Sequence, residues 1–288
     1  MIQLNKRFDE TMLVLPATLF LILFSIYPLI FSFRLVFFKW FLNKPNPPSF
    51  IGLSNIQNVL LDARFWNSLK VTLIILLIAV TIETLAGLFL SLLFRDKVYG
   101  KRIIISLLMI PIMISPMVIG IIWRFILNPE IGIANYILKM VGLQPLIWLG
   151  DIKYALSTII LIDIWQWTPF LFIIFLSGMQ GISPNLYEAA EVDGASEWGL
   201  IRYITIPMLK PIMYIGILIR SIDSFKMFDL VYILTRGGPV NSTETASLYI
   251  YKTGFNFFNM GKASTMSYIL LIIMTFLIQR FIGKKEIV

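Results

Sequence analysis

Six runs of apolar residues alternate with stretches where charge, Gly and Pro collect. A helix needs about 20 mostly apolar residues to cross the hydrocarbon core of a bilayer. The runs are of that order: Met12 to Val36, Val71 to Phe94, Ile103 to Ile126, Tyr154 to Leu176, Met208 to Leu234 and Thr265 to Ile282. No backbone N–H or C=O can go unpaired in hydrocarbon, so such runs are helices; the alternating pattern of a membrane β-barrel is absent. The pattern predicts an all-α, polytopic membrane protein with six transmembrane helices, residues 1–288 forming a single transmembrane domain.

Composition narrows the functions. The chain is 58% hydrophobic and only 14% charged, with a mean hydropathy of +0.84, whereas soluble domains carry roughly 25% charged residues. A soluble or disordered protein is excluded. The first run exceeds the 7–15-residue apolar core of a secretory leader, and Arg34, Phe37 and Phe38 follow it instead of a small-residue cleavage site, so it is expected to be a retained span. There is no Cys and no His, which removes thiolate chemistry, the usual zinc sites and the commonest general base. The Gly-Lys pairs, Gly100-Lys101 and Gly261-Lys262, are followed by Arg102 and Ala263, so no phosphate-binding loop of the G-x-x-x-x-G-K-[ST] type exists. The chain is expected not to be an enzyme, and transport becomes the default.

The formal charge of +8 is read as basic residues flanking spans, not as a nucleic-acid surface. An even number of spans puts both termini on one side. Each side carries eleven Lys and Arg, so the count does not orient the chain. The terminal-side segments are shorter, and the tight cluster Arg95, Lys97, Lys101 and Arg102 favours cytoplasmic termini.

The connection between the fourth and fifth runs is the most informative. Ser183 is positioned to cap a helix that Pro184 can begin. Glu188, Ala189, Ala190, Glu191 and Val192 continue it, Gly194 permits a sharp turn, and a second short helix runs through Trp198 and Ile201 toward Pro207. The product is a helix–Gly–helix elbow over 183–207. From chemistry alone it is either a surface that fits a groove on another protein or an interfacial helix pair lying on lipid headgroups.

The pattern E-A-A, three residues, Gly, nine residues, then I-x-I-P (Glu188, Ala189, Ala190, Gly194, Ile204, Ile206, Pro207) resembles the membrane subunits of bacterial binding-protein-dependent ABC importers. Asp193-Gly194-Ala195-Ser196 and the segment FDLVYILTRGGPVNSTETASLYIY, residues 228–251, resemble the carbohydrate branch, and within it the first-type, maltose-F-like permease. The resemblance covers about residues 10–285 and implies the ABC importer permease fold. It implies a bacterial cytoplasmic membrane location and an assembly with a second homologous permease, two ATP-binding cassette subunits and an extracytoplasmic solute-binding protein. ATP and Mg would be held by the ATPase partners, with no cofactor on this chain. The coupling residues it implies are Glu188, Ala189, Ala190, Asp193, Gly194, Ala195 and Pro207.

Ionisable residues at membrane depth cost about 2.5–3.5 kcal/mol on insertion scales and face bundle interiors or water. Glu83, Asp163, Arg220, Asp223, Lys226 and Asp229 are such residues. A polar substrate pathway is one reading. The other is internal pairing: Asp223 with Lys226 and Lys226 with Asp229 at i,i+3 on one helix, and a structural role for Glu83. In the fourth run, Pro169 takes a donor from the helix beside Asp163, Gln166 and Trp167, a carboxylate, amide and aromatic set suited to sugar hydroxyls and ring faces. Trp165 reads as an interfacial or core aromatic. The resemblance places substrate contacts at Asp163, Gln166, Trp167 and Phe170 and, on the fifth run, at Arg220, Ser224 and Met227. Arg220 either pairs with Asp163 or meets an acidic sugar; the sequence leaves both open. A secondary transporter or channel for a polar solute is the alternative function, and it leaves the elbow without a role.

Overall fold

The computed structural model describes residues 14–95 and 99–282, with side chains through Arg280. Met12, Lys6, Arg7, Lys97, Lys284 and Lys285, used above for the first span and for orientation, lie outside the described residues. In chain order the helices are α1 (Val14–Leu35), α2 (Ser54–Leu60), α3 (Ala63–Leu93), α4 (Lys101–Leu108), α5 (Ile110–Met113), α6 (Pro116–Ile126), α7 (Ile133–Met140), α8 (Ile152–Gln180) and α9 (Pro184–Val192). They continue with α10 (Glu197–Leu200), α11 (Ile206–Phe225), α12 (Asp229–Leu234), α13 (Ala246–Tyr251) and α14 (Met260–Ile282). Two-residue strands β1 (Phe38–Lys39) and β2 (Ser49–Phe50) pair antiparallel.

Among the described residues, five stretches are helical, long and apolar enough to cross a bilayer: Val14–Leu35, Ala63–Leu93, Ile152–Gln180, Glu197–Leu234 and Met260–Arg280. The sixth predicted span, 103–126, comes in pieces. It divides into α4, α5 and α6 because Pro111 and Pro116 remove donors and Ile114 turns extended at φ −94°, ψ 135°. The fifth predicted span is not continuous either. It stops at Phe225 and resumes at Asp229. The helix α8, by contrast, passes through Pro169 and ends only at Gln180.

The described residues fall into two compact units, 14–65 with 250–273, and 66–95 and 99–249 with 274–282. In the first, the buried Asn55 amide donates to the carbonyls of Val36, the C-cap residue of α1, and Phe38, in β1, each at 2.9 Å. Lys262 Nζ pairs with Asp62 at 2.7 Å.

In the second unit α8 is the central element, its apolar window 61% buried. Leu171, Phe175 and Met179 of α8 meet Leu209 of α11 in the core. Small residues let the helices approach, which is how membrane helices associate when water offers no driving force. A Cβ on Gly87 of α3 would lie 3.0 Å from the backbone nitrogen of Phe172 and from the Leu171 Cβ. Gly87→Leu is therefore expected to cost about 1–3 kcal/mol through overpacking, read as a lower apparent unfolding temperature in detergent. Gly142→Asn is the control. Its φ of +77° lies in open space and Asn accepts that conformation, so no loss is expected there.

Candidate functional site

Both helix breaks face α8. The backbone opened at Ile114 and at Lys226–Phe228 borders one cavity of about 550 Å³, with Asp163, Gln166 and Trp167 of α8 on its wall. Irregular backbone at membrane depth is tolerated only where protein buries it or where it lines a polar cavity, and here its carbonyls are provided for. Gln166 Nε2 donates to the Ile114 carbonyl at 3.2 Å. Thr245 Oγ1 donates to the Met227 carbonyl at 3.0 Å. Thr245 belongs to the S-T-E-T stretch, whose Thr243, Glu244 and Thr245 are buried. Thr243 Oγ1 donates to the Gly238 carbonyl at 2.7 Å, and the Ala246 N–H donates to Thr72 Oγ1 at 2.9 Å. The motif is thus a folded loop that braces the second break. Beyond the breaks, α6 and α12 pack together. Gly120 provides the room: a Cβ there would lie 2.9 Å from the Ile233 side chain.

Arg220 stands at the back of the cavity, 1% exposed. Its Nε donates to Glu83 Oε2 at 2.7 Å and its Nη2 to Glu83 Oε1 at 3.0 Å, a bidentate fork. Nη2 also donates to Asp163 Oδ2, and Nη1 to Asp223 Oδ2 at 3.3 Å. The guanidinium carbon sits 5.0 Å from the Trp167 ring centre, within the range of a cation–π contact. Three helices therefore supply carboxylates to one guanidinium: α3, α8 and α11 itself. Glu83 and Asp163 are buried with it, while the Asp223 side chain is 49% exposed.

Of the residues expected to contact substrate, Asp163, Gln166, Trp167, Arg220 and Met227 line the cavity. Phe170 does not; it packs on the α8–α11 core and meets Trp167 edge-on at 6.1 Å. Ser224 is buried behind the lining. The i,i+3 pairing expected of Lys226 is not formed: among the described residues, Asp223 turns to Arg220, and Lys226 pairs with neither Asp223 nor Asp229. The physical reason is the break itself, since i,i+3 neighbours face one another only on a continuous helix. Asp223, Lys226 and Asp229 instead border the cavity. Glu83 has the structural role expected of it, as the principal partner of Arg220. Trp165 lies outside the cavity, edge-on to Trp123 at 5.5 Å.

The elbow is built at the far end of α11. The helix α9 starts at Pro184, but Ser183 makes no side-chain cap; Ser196 caps α10 instead, accepting from the Gly199 N–H at 3.2 Å. Gly194 has φ +80°. The Ala195 N–H donates to the Ala190 carbonyl at 2.9 Å and the Gly194 N–H to the Glu191 carbonyl at 3.0 Å, the paired bonds of a Schellman C-cap. Glu188, Ala189, Asp193, Gly194, Ala195 and Pro207 are exposed, and Ala190 is half-buried. Arg95, just after α3, pairs with Glu197 at 3.1 Å and stacks on Tyr187 at 5.4 Å. The Tyr187 and Thr205 hydroxyls lie 3.1 Å apart.

Comparison with known proteins agrees with this architecture. Residues 83–287 match the sequence model of the family described as binding-protein-dependent transport system inner membrane component. The chain is 37% identical to a probable ABC transporter permease protein, y4oQ, of Sinorhizobium fredii, over 88% of this chain and 82% of the relative. It is 33% identical to the trehalose/maltose transport system permease protein MalF of Thermococcus litoralis, over 87% of this chain and 83% of the relative. In fold it resembles a chain of a bacterial ABC transporter involved in the import of the acidic polysaccharide alginate. The TM-score is 0.84 at 21% identity, covering 97% of this chain and 96% of that one.

Replacing Arg220 tests the cluster. Arg220→Met leaves Glu83 and Asp163 buried without their cation, which costs about 3–5 kcal/mol when one partner of a buried pair is removed. The expected result is a sharp fall in apparent unfolding temperature. Arg220→Lys should rescue only part of it, because an ammonium cannot reproduce the bidentate fork. Full stability of both variants would show that the cluster does not hold the helices.

Proposed function

Because this chain belongs to the family of binding-protein-dependent transport system inner membrane components, we propose that it is one of two permease subunits of an ATP-dependent carbohydrate importer. It is a multi-pass protein of the inner membrane. The proposed assembly contains a second, homologous permease, two ATP-binding cassette subunits on the cytoplasmic face and an extracytoplasmic solute-binding protein. ATP and Mg belong to the ATPase subunits. Both termini and the elbow face the cytoplasm, which sets the cavity on the substrate path between the solute-binding protein and the cell interior.

The elbow carries this reading. An apolar-to-small helix face, a glycine turn with nothing within 4 Å of where a side chain would begin, and a run of exposed residues from Glu191 to Trp198 make a knob that protrudes from the body of the bundle. A protein whose transport needed no motor would gain nothing from it. Docked in an ATPase groove, Glu188 would meet basic groups while Ala189, Ala190 and Ala195 fill the groove floor. Carbohydrate as the substrate class is supported by the D-G-A-S and G-G-P…S-T-E-T stretches, by the trehalose/maltose permease among the relatives, and by a cavity that combines carboxylates, an amide and an indole.

Gly194→Asp tests the coupling. Asp is among the residues that tolerate the left-handed backbone and nothing lies within 4 Å of where its side chain would begin, so the free elbow keeps its shape, but a carboxylate desolvated in a groove is costly. The variant should insert normally while co-purification with its ATP-binding subunits falls at least tenfold. Docking at the parental level would remove the elbow from the coupling role. Independently, uptake into liposomes carrying the complete assembly should require ATP; uptake by this chain without any ATPase subunit would overturn the proposal.

A further inference from the structure

The charges around the cavity specify what it accepts. Its wall carries three carboxylates, Asp163, Asp223 and Asp229, against two cations, Arg220 and Lys226. The formal excess on the wall is one negative charge, and Glu83 behind it is taken up by Arg220. One of the two cations is already committed. Four hydrogen bonds run from the Arg220 guanidinium to Glu83, Asp163 and Asp223, out of five N–H donors that it owns, and its face rests on Trp167. The other, Lys226, borders the cavity between Asp223 and Asp229 without pairing with either, so the two carboxylates that flank it in the chain outnumber it on the wall.

The neutral polar group on the wall asks for a hydrogen-bond donor. Gln166 donates one of its two amide N–H groups to the Ile114 carbonyl, and its buried Oε1, on a side chain 1% exposed, has no hydrogen-bond partner among the described residues. A buried acceptor left unsatisfied calls for a donor from the occupant. A saccharide hydroxyl or an ammonium supplies one; an ionised acidic group set at this point does not.

We propose that this cavity selects uncharged or amino-bearing saccharides and rejects acidic ones, and that Asp223 is the residue setting this preference. Asp223 is suited to the part because its bond to Arg220 is the longest of the cluster, at 3.3 Å, and its side chain alone among the three Arg220 partners is half-exposed. The inference rests on the carbohydrate reading for its substrate class. The fold likeness to an alginate importer does not bear on it, because charge selection resides in side chains that the shared fold leaves free to differ.

The absence of Cys from the chain permits a direct measurement. Ser115 borders the cavity and is exposed; Gln144, on an exposed loop, is the reference. In the assembled complex, Ser115→Cys and Gln144→Cys are each treated with a trimethylammonium and with a sulfonate methanethiosulfonate. The cation-to-anion rate ratio at position 115, divided by that at position 144, should be about 10 or more, the lower end of what a focused field in a cleft provides. Adding Asp223→Asn to Ser115→Cys should bring the ratio down severalfold. A normalised ratio of one or less, or one that Asp223→Asn does not change, overturns the proposal.

Uptake in the reconstituted importer separates this inference from the reading beneath it. The probes are trehalose, maltose and cellobiose, each with its uronate. Uptake of uronates at or above the level of their neutral parents overturns the charge rule and leaves the carbohydrate reading intact. A cation-favouring thiol ratio with no saccharide carried upholds the rule for the cavity and removes the carbohydrate reading.

Discussion

One guanidinium sets the geometry of the membrane-embedded core. A charge in a low-dielectric interior must be compensated at short range, and Arg220 is compensated from three helices at once. Each bond fixes a different relation. The fork to Glu83 fixes the register of α11 along α3, the bond to Asp163 ties α11 to α8, and the bond to Asp223 holds the last turn of α11 toward the cavity. Apolar packing between helices in lipid is tolerant of small slides, because lipid tails are as apolar as Leu. A bidentate charged fork is not.

That fixed frame makes the helix breaks tolerable. Opening a helix inside a bilayer exposes carbonyls that cost several kcal/mol each if unpaired. In this protein the freed Ile114 and Met227 carbonyls each receive a side-chain donor. The donors come from Gln166, on the helix that Asp163 anchors, and from Thr245, in a loop whose buried Thr243 is bonded to the Thr235 hydroxyl and the Gly238 carbonyl. The stretch within residues 228–251 that resembles the carbohydrate branch therefore has a physical task. It closes the backbone of the fifth span so that charged residues can face a cavity instead of lipid.

How much of this could be read from residues alone varied with range. Apolar length gave the spans, because hydrocarbon thickness is a constraint on each segment separately. It did not give the breaks. Pro111 and Pro116 were visible, but the residues around them are so apolar that the run read as continuous. The second break has no Gly or Pro between Lys226 and Phe228; its only signal was the density of charge, which on an intact helix reads as i,i+3 pairing. Asp163 was one of two partners considered for Arg220. Glu83 lies 137 residues from Arg220, and a pairing at that distance leaves no local trace. The family resemblance put Phe170 and Ser224 near the site, yet the packing of α8 on α11 turns Phe170 into the core and buries Ser224 behind the cavity wall.

The same frame bears on how the elbow and the cavity communicate. The helix α11 begins next to the elbow, at Ile206, and ends at the break, after Phe225. At about 1.5 Å per residue its 20 residues extend roughly 30 Å, so both ends of the proposed working stroke belong to one rigid element. At its lower end, the Tyr187 and Thr205 hydroxyls tie α9 to the helical segment Ile201–Thr205 that runs into α11, and Arg95 joins the elbow to the end of α3. Near its upper end, Arg220 joins α11 to α3 again. A displacement of the elbow therefore cannot slide α11 along α3 without breaking a charged fork; it can tilt the pair together and shift the break against α8. Under the proposed coupling, nucleotide-driven movement at the cytoplasmic face would change the cavity by tilting this bonded pair, with the unwound segment at Lys226–Phe228 absorbing the difference in backbone angle.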